Sequence, residues 1–530
     1  MKPRHWLFAL LGALTAARLV LAASFELTPD EAYYYLWSQH PALSYFSKGP
    51  GVAMAILAST SVFGPTEFGV RFLSPVLSLG TSLLVFYFAR RVYNERVGIW
   101  TVLLLNTIPI FNAGAILMTI DPLSIFFWTA ALFTFWLALE GSPAFTWWWP
   151  FTGLLIGLGF LAKYTNAMEL LSIVLLLGCT RRYRRELIGV GFWSMLVIAL
   201  ACTTPVIVWN QQHAWITLDH LSARGDLNTG FAVHPTAFLQ FLGGHCLVYS
   251  PLVFIGLMWS LWWAGQRVRL QFKPRFLGAF AAPLLLMYAA LAIKNAGEPN
   301  WTAPAFISLG ILATALWLEH CAESKPLRRF AMAALILAMG MSAVTLDTDL
   351  ARAFHVPLSY DMDPASRLRG WQTGARAVQD FRHEFEQETG KPAFLIGNKY
   401  QMAASLAFYM TDHRVALPGH PAVYIPESQM IENQFSFWPR YDEFESPPAG
   451  APPSTTDAYY TEEQGTSAFE GGNALYVTDE SRSGSERPPS AIEHGFDHFE
   501  LVRLFRIERR GQPLRELRVY ACYNYRPLSL

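Results

Sequence analysis

The chain has 530 residues, of which 52% are hydrophobic, 15% aromatic and only 15% charged, against about a quarter charged in ordinary soluble domains. That is a membrane composition, in a chain too long for one soluble domain. Forty Lys and Arg balance 40 Asp and Glu, so there is no basic excess to suggest nucleic acid as a partner.

The N-terminal segment, MKPRHWLFALLGALTAARLVLAAS, has the basic start, apolar centre and small-residue end of a signal peptide. Arg18 interrupts its apolar run and many further runs follow, so it reads as an uncleaved first membrane helix. A membrane helix needs about 20 apolar residues, and runs near 6–23, 68–89, 97–117, 122–140, 149–162, 165–179, 187–209, 236–264, 276–293, 302–318 and 329–346 predict about eleven spans. The fifth and sixth are short and flank the interruption AKYTN around Lys163. They read as two thin spans, a broken helix or a re-entrant pair.

Lys and Arg collect on alternate loops: Lys2 and Arg4; Arg90, Arg91 and Arg96; Arg181, Arg182, Arg184 and Arg185; Arg267, Arg269, Lys273 and Arg275; Lys325, Arg328 and Arg329. The positive-inside rule makes these the cytoplasmic loops, with the N-terminus inside. The same order puts Asp30, Glu31, Lys48, Asp121, Lys163, His213, Arg224, Lys294 and Glu298 on the outer side. Lys48, Lys163 and Lys294 each sit close to a span end. There they either snorkel toward lipid headgroups or converge on one anionic group.

From about residue 347 charged residues, Gly and Pro become common, and the expected division is a membrane domain at 1–346 and an outer α/β domain at 347–530. Residues 367–390 read as an amphipathic helix, and 392–397, 474–479 and 516–523 as strands. The Pro-, Gly-, Ser- and Thr-rich stretch 445–472 reads as a loop. The five cysteines show no pairing or metal-ligand spacing, and no structural disulfide is expected.

Residues 28–50, TPDEAYYYLWSQHPALSYFSKGP, gather polar groups between two apolar runs. Thr28 with Glu31 has the spacing of a capping box, whereas Asp30 precedes an aromatic, interfacial segment that would hold its carboxylate at the membrane surface. This stretch resembles the first outer loop of bacterial glycosyltransferase family 39, the protein-mannosyltransferase-like and aminoarabinose-transferase-like membrane enzymes of GT-C fold. MTIDPLSIFFW (118–128), TPVIVWNQQHAWITL (204–218), EPNWTAPAF (298–306), NKYQMAASLAFYM (398–410) and NQFSFWP (433–439) are similar to further family motifs, in the family's order.

The resemblance implies a polytopic α-helical membrane protein with a C-terminal periplasmic α/β domain. It implies an inverting transferase that moves a sugar from a polyprenyl-phosphate carrier to lipid A, lipopolysaccharide or another envelope glycan, in the inner membrane. Asp30 matches the expected catalytic base, Asp121 the second carboxylate and Lys48 the lysine near the carrier phosphate; such cations stabilise charge developing on a leaving phosphate. Lys163, Lys294 and Arg224 are further candidates for phosphate, sugar or lipid contact, and an acidic sugar would need a second cation.

His213 with Trp209 and Trp215 suits sugar recognition or interfacial anchoring better than zinc, since only Asp219 stands near His213 and His220 to complete a ligand set. Glu298 and Asn300 are placed to orient a sugar or pair with Lys294. Relatives commonly carry an acidic residue and a second proline where this chain has Ser47 and Gly49. Gly49 is expected to loosen the backbone presenting Lys48, and Ser47 removes a metal-ligating carboxylate, so no cofactor is certain and a divalent metal is possible. Competing readings are a protein O-mannosyltransferase and a polytopic transporter of lipid-linked sugar.

Overall fold

The computed structural model describes residues 3–142, 144–225, 233–267, 271–353, 360, 363–428, 430–442, 469–479 and 488–527. Among these, seven helices are long and apolar enough to cross a membrane: Arg4–Ser24, Glu67–Val92, Ile120–Glu140, Val190–Gln212, Phe272–Leu291, Ala305–Glu323 and Lys325–Leu346. Most of the remaining sequence runs are broken or short. Pro235–Tyr249 and Pro251–Arg267 form a pair bent by 110°; Ser250 between them sits at φ 68°, before a proline that disfavours helical backbone in the residue preceding it. The run at 97–117 divides into Glu95–Thr107 and Pro109–Gly114, and Pro109 again marks the break.

The AKYTN interruption separates two short helices. Trp148–Ala162 ends at Lys163, whose backbone is extended, and a 3-10 turn at Tyr164–Ala167 leads into Met168–Cys179. A further helix, Gly51–Phe63, has only 13 residues, too few for a span reading from length.

Two compact units divide the chain: residues 1–24 with 40–356, and residues 25–39 with 357–530. In the first, the N-terminal helix, α1 (Pro3–Ser24), packs Leu7 and Leu11 into the apolar core. Its one internal charge, Arg18, is buried and donates to Asn112 Oδ1 at 2.7 Å and Ser78 Oγ at 3.2 Å. A guanidinium in an apolar interior requires such partners. The core is strongly aromatic, with Phe135 stacked on Phe276 at 5.8 Å and Trp136 edge-on to Phe276 at 5.0 Å.

The second unit carries a four-stranded sheet in the order β1-β2-β4-β3, with β1 at Ala393–Gly397, β2 at Asn473–Thr478, β3 at Phe496–Arg509 and β4 at Gln512–Tyr525. β1 and β2 are parallel, while β4 pairs antiparallel with both β2 and β3. Arg510 and Gly511, both at positive φ, make the two-residue hairpin between β3 and β4, as type I′ geometry requires. The amphipathic helix Trp371–Thr389 brings Gly374 against Leu517 and Ile507 of the sheet. Most of the Pro- and Ser-rich stretch read as a loop lies outside the described residues, as does Arg269.

The second unit also includes α2 (Pro29–Gln39). Its attachment is polar and specific: Leu27 N donates to Tyr409 Oη at 2.5 Å, Trp371 N to Glu26 Oε2 at 2.5 Å, and Gln434 N to Tyr33 Oη at 2.6 Å. Tyr33 also lies parallel to Phe435 at 5.9 Å and packs on Tyr400 at 4.5 Å.

Candidate active site

Lys163 stands where a helix stops, so its side chain leaves the end of the Trp148–Ala162 cylinder. Its Nζ donates to Asp121 Oδ1 at 2.7 Å and to the Asn300 carbonyl at 3.3 Å, and Asn300 Nδ2 donates to Asp121 Oδ2 at 2.7 Å. Both oxygens of Asp121 are thus engaged, in a pair whose side chains are only 7% (Lys163) and 14% (Asp121) exposed.

Local sequence explains each placement. Asp121 lies in the first turn of Ile120–Glu140, capped by Thr119 Oγ1, which accepts from Asp121 N at 3.3 Å; a carboxylate there also meets the positive end of the helix dipole. Asn166, in the 3-10 turn, donates through Nδ2 to the Ser124 carbonyl at 3.0 Å and accepts from Ser124 Oγ at 2.5 Å, which fixes the turn below Lys163 to the helix of Asp121. On the Asn300 side, Thr302 donates to the Pro299 carbonyl at 3.0 Å and meets His245 Nε2 at 2.8 Å.

Lys163, Lys48 and Arg224 line one cavity of about 180 Å³ together with Ser47, Tyr164 and Trp301. The Arg224 guanidinium lies 5.2 Å from the centre of the Trp301 ring, within cation–π range. The Lys48 loop is tied down: its carbonyl accepts from Tyr45 N at 3.0 Å and Ser44 Oγ at 3.2 Å, and Ser44 Oγ meets Tyr164 Oη at 3.2 Å.

Gly49 tightens this arrangement, contrary to its expected loosening effect. A Cβ there would lie 2.3 Å from the Leu161 carbonyl oxygen, and one on Gly51 would lie 2.8 Å from Ala162 Cα. The missing side chains let the Lys48 loop rest on the end of the helix that presents Lys163.

His220, on the helix Ile216–Arg224, packs on Phe46 at 4.6 Å. Burial, with the positive charges of Lys48 and Arg224, pushes it down to about 4. It is therefore a neutral imidazole beside the cations. His213 instead stacks on Trp209 at 4.0 Å and donates through Nδ1 to the Trp209 carbonyl at 2.7 Å, which closes that tryptophan face to a sugar.

His213, Lys294 and Glu298 are absent from the described lining of the three-cation cavity. Lys294 follows the helix Phe272–Leu291, and Glu298 is exposed before the turn Pro299–Thr302. Sequence reading left out Trp301 and Tyr288, which also line the cavity; the tryptophan of EPNW was the available signal for the first.

In the second unit, Asp30 is exposed in the first turn of α2. Glu31 is fully buried and forms a capping box: Thr28 N and Oγ1 donate to Glu31 Oε2 at 2.9 and 3.0 Å, and Glu31 N donates to Thr28 Oγ1 at 3.3 Å. The adjacent acids thus differ in situation, one capping the helix and one presented at its surface. Among the described residues, no three His, Cys, Asp or Glu side chains gather as a metal-binding group.

A family model described as dolichyl-phosphate-mannose-protein mannosyltransferase matches residues 47–209, a range that holds Lys48, Asp121 and Lys163. The lipid A galacturonosyltransferase RgtD of Rhizobium johnstonii is 26% identical over 337 residues, covering 62% of this chain and 68% of that protein. An undecaprenyl phosphate-alpha-4-amino-4-deoxy-L-arabinose arabinosyl transferase of Pseudomonas aeruginosa is 26% identical over 280 residues, 51% of this chain and 49% of the relative. The chain thus matches about two thirds of the first relative's length and about half of the second's.

The structure of ArnT from Cupriavidus metallidurans bound to undecaprenyl phosphate superposes with a TM-score of 0.60 over 98% of both chains, at 16% identity. That likeness is one of fold. Taken with the family match over residues 47–209 and the relatives, it supports a multi-pass membrane glycosyltransferase of GT-C type, similar to the mannosyltransferase-like and aminoarabinose-transferase-like enzymes.

Proposed function

We propose that the chain transfers a sugar from a polyprenyl-phosphate carrier to lipid A or a related envelope glycan, on the periplasmic side of the inner membrane. The observation that carries the reading is the convergence of Lys48, Lys163 and Arg224 on one cavity. Three cations there suit a phosphate leaving group, whose charge grows as its bond to the sugar breaks.

Asp30 is the proposed base. Its carboxylate takes the proton of the acceptor hydroxyl, and the oxygen attacks the anomeric carbon from the face opposite the phosphate. The bond from that carbon to the carrier oxygen breaks, and its electron pair leaves with the polyprenyl phosphate. The anomeric centre inverts, and Asp30 then returns its proton to water.

Asp121 has another part in this scheme. Held by Lys163 and Asn300, it fixes the lysine head rather than accepting the acceptor's proton. The alternation of Arg and Lys between loops supports a cytoplasmic N-terminus and a periplasmic C-terminal unit. The excess of cations over one phosphate, with the similarity to a galacturonosyltransferase, supports an acidic donor sugar.

Mass spectrometry of envelope lipids with and without the protein tests the reading. The expected difference is one hexuronic acid increment on lipid A or its glycan, lost in Asp30→Asn at unchanged membrane insertion. An aminopentose increment would refute the acidic sugar alone. Unchanged lipids and glycans, or full transfer by Asp30→Asn, would refute respectively the transferase reading and the base.

A further inference from the structure

The C-terminal unit has a polar cavity of about 770 Å³ at the ends of the parallel strands β1 and β2. Its size lies within the range of about 300–1,000 Å³ for small-ligand clefts, and the carboxyl ends of parallel strands are a recurrent place for them. The sequence motif NKYQMAASLAFYM supplies Asn398, Tyr400 and Gln401 to its wall, and NQFSFWP supplies Asn433 and Ser436. Neither motif has a part in the transfer chemistry proposed above.

The lining chemistry selects among ligands. Lys399 and Arg440 share the lining with three carboxylates, Glu427, Glu432 and Glu493, and Arg440 is already paired with Asp442. Among the described lining residues no net positive charge is left for a phosphate. Amides and hydroxyls dominate instead. Asn398 donates through Nδ2 to Thr478 Oγ1 at 2.9 Å, while its Oδ1 is buried and accepts no hydrogen bond among the described residues. A buried acceptor of this kind calls for a donor, and a sugar hydroxyl both donates and accepts.

The same wall holds the helix of the proposed base. Tyr400 packs on Tyr33 of α2, and Gln434 N donates to the Tyr33 hydroxyl. We propose that this cavity binds an uncharged saccharide portion of the acceptor, and that its occupation rigidifies α2 and with it Asp30. The inference rests on the glycosyltransferase reading for the word acceptor, yet binding is measurable without turnover.

The test uses the full chain in lipid nanodiscs and, as probe, core oligosaccharide released from lipopolysaccharide and stripped of phosphate. Saturation-transfer NMR is expected to show contact with the probe's ring protons, in the parent and in Asp30→Asn alike. Asn398→Ala with Gln401→Ala should weaken binding about tenfold, the scale of one or two lost hydrogen bonds, and inorganic phosphate should not compete. Amide exchange in α2 should slow when the probe is present.

Absence of transfer in the parent, undiminished affinity in the double variant or displacement by phosphate would overturn the site. Unchanged exchange in α2 would overturn its link to Asp30. If the double variant fails to fold, Gln401→Ala alone decides, with an expected loss of about threefold. Saccharide binding by a chain that transfers no sugar would refute the catalytic reading and leave this one standing.

Discussion

Replacing Gly49 by alanine should impair transfer without removing any polar group. The new Cβ would meet the Leu161 carbonyl oxygen at 2.3 Å and its carbon at 2.9 Å, where ordinary contact begins near 3.4 Å. The neighbour is backbone at a helix end, so it cannot turn aside, and the Lys48 loop must move by roughly 1 Å. Lys48 is the adjacent residue, and its displacement relative to Lys163 and Arg224 strains a cavity of only about 180 Å³. A 1 Å misplacement of a positioning group costs on the order of 100-fold in rate, or about 2.7 kcal/mol of transition-state stabilisation. The assay is the initial rate with undecaprenyl-phosphate-linked sugar in nanodiscs, at matched insertion. Gly340→Ala is the control, since a Cβ there meets nothing within 4 Å. A Gly49→Ala rate within about threefold of the parent, with control and variant equally well folded, would refute the close-approach account.

Two further outcomes follow from groups beside the proposed chemistry. His220 sits at about 4 in the folded chain, below its ordinary 6.5. The folded state therefore favours the neutral ring, and this contribution is full above pH 6.5 and is lost as pH falls from 6.5 toward 4. His220→Gln should flatten that limb of the melting temperature against pH; a limb as steep as the parent's would count against the assignment. Thr28→Ala removes one half of the capping box, worth about 1 kcal/mol, and should speed amide exchange in α2, whereas exchange at the parent rate would show that the box does not hold the helix end.

The membrane helices were readable because long apolar runs have few alternatives, and Arg18 fitted because a lone charge in such a run demands a buried partner. Length failed as a guide for Gly51–Phe63, which at 13 residues is too short to register as a span. The bend at Ser250 was invisible to a hydropathy window, although Pro251 stood in plain view. β3 was missed because Asp497, His498, Glu500, Arg503 and Arg506 punctuate FDHFELVRLFRIER and dilute its apolar signal. Lys163 stood out as a candidate because it interrupts two apolar runs. Its pairing with Asp121 and Asn300 did not, since the three lie on different elements and only tertiary packing joins them. Gly49 was misread because sequence shows a glycine's freedom and hides what its missing side chain lets approach.

The stretch 28–50 presents Asp30 and Lys48 as near neighbours in sequence, and the structure assigns them to different compact units. Asp30 belongs with α2, tied by Leu27 to Tyr409, by Glu26 to Trp371 and by Tyr33 to Gln434. Lys48 belongs with the membrane helices, through the approach of Gly49 to Leu161 and the contact of Ser44 with Tyr164. The proposed base and the proposed phosphate contact therefore answer to separate sets of supporting residues. Loosening Tyr409 or Tyr33 acts first on the helix that presents Asp30, and should change proton acceptance and acceptor use. Loosening Gly49 or Tyr164 acts on the three-cation cavity, and should change use of the carrier. Two motifs far from the first loop in sequence, NKYQMAASLAFYM and NQFSFWP, acquire from this a physical reason to matter to catalysis: they build the surface on which the helix of Asp30 rests.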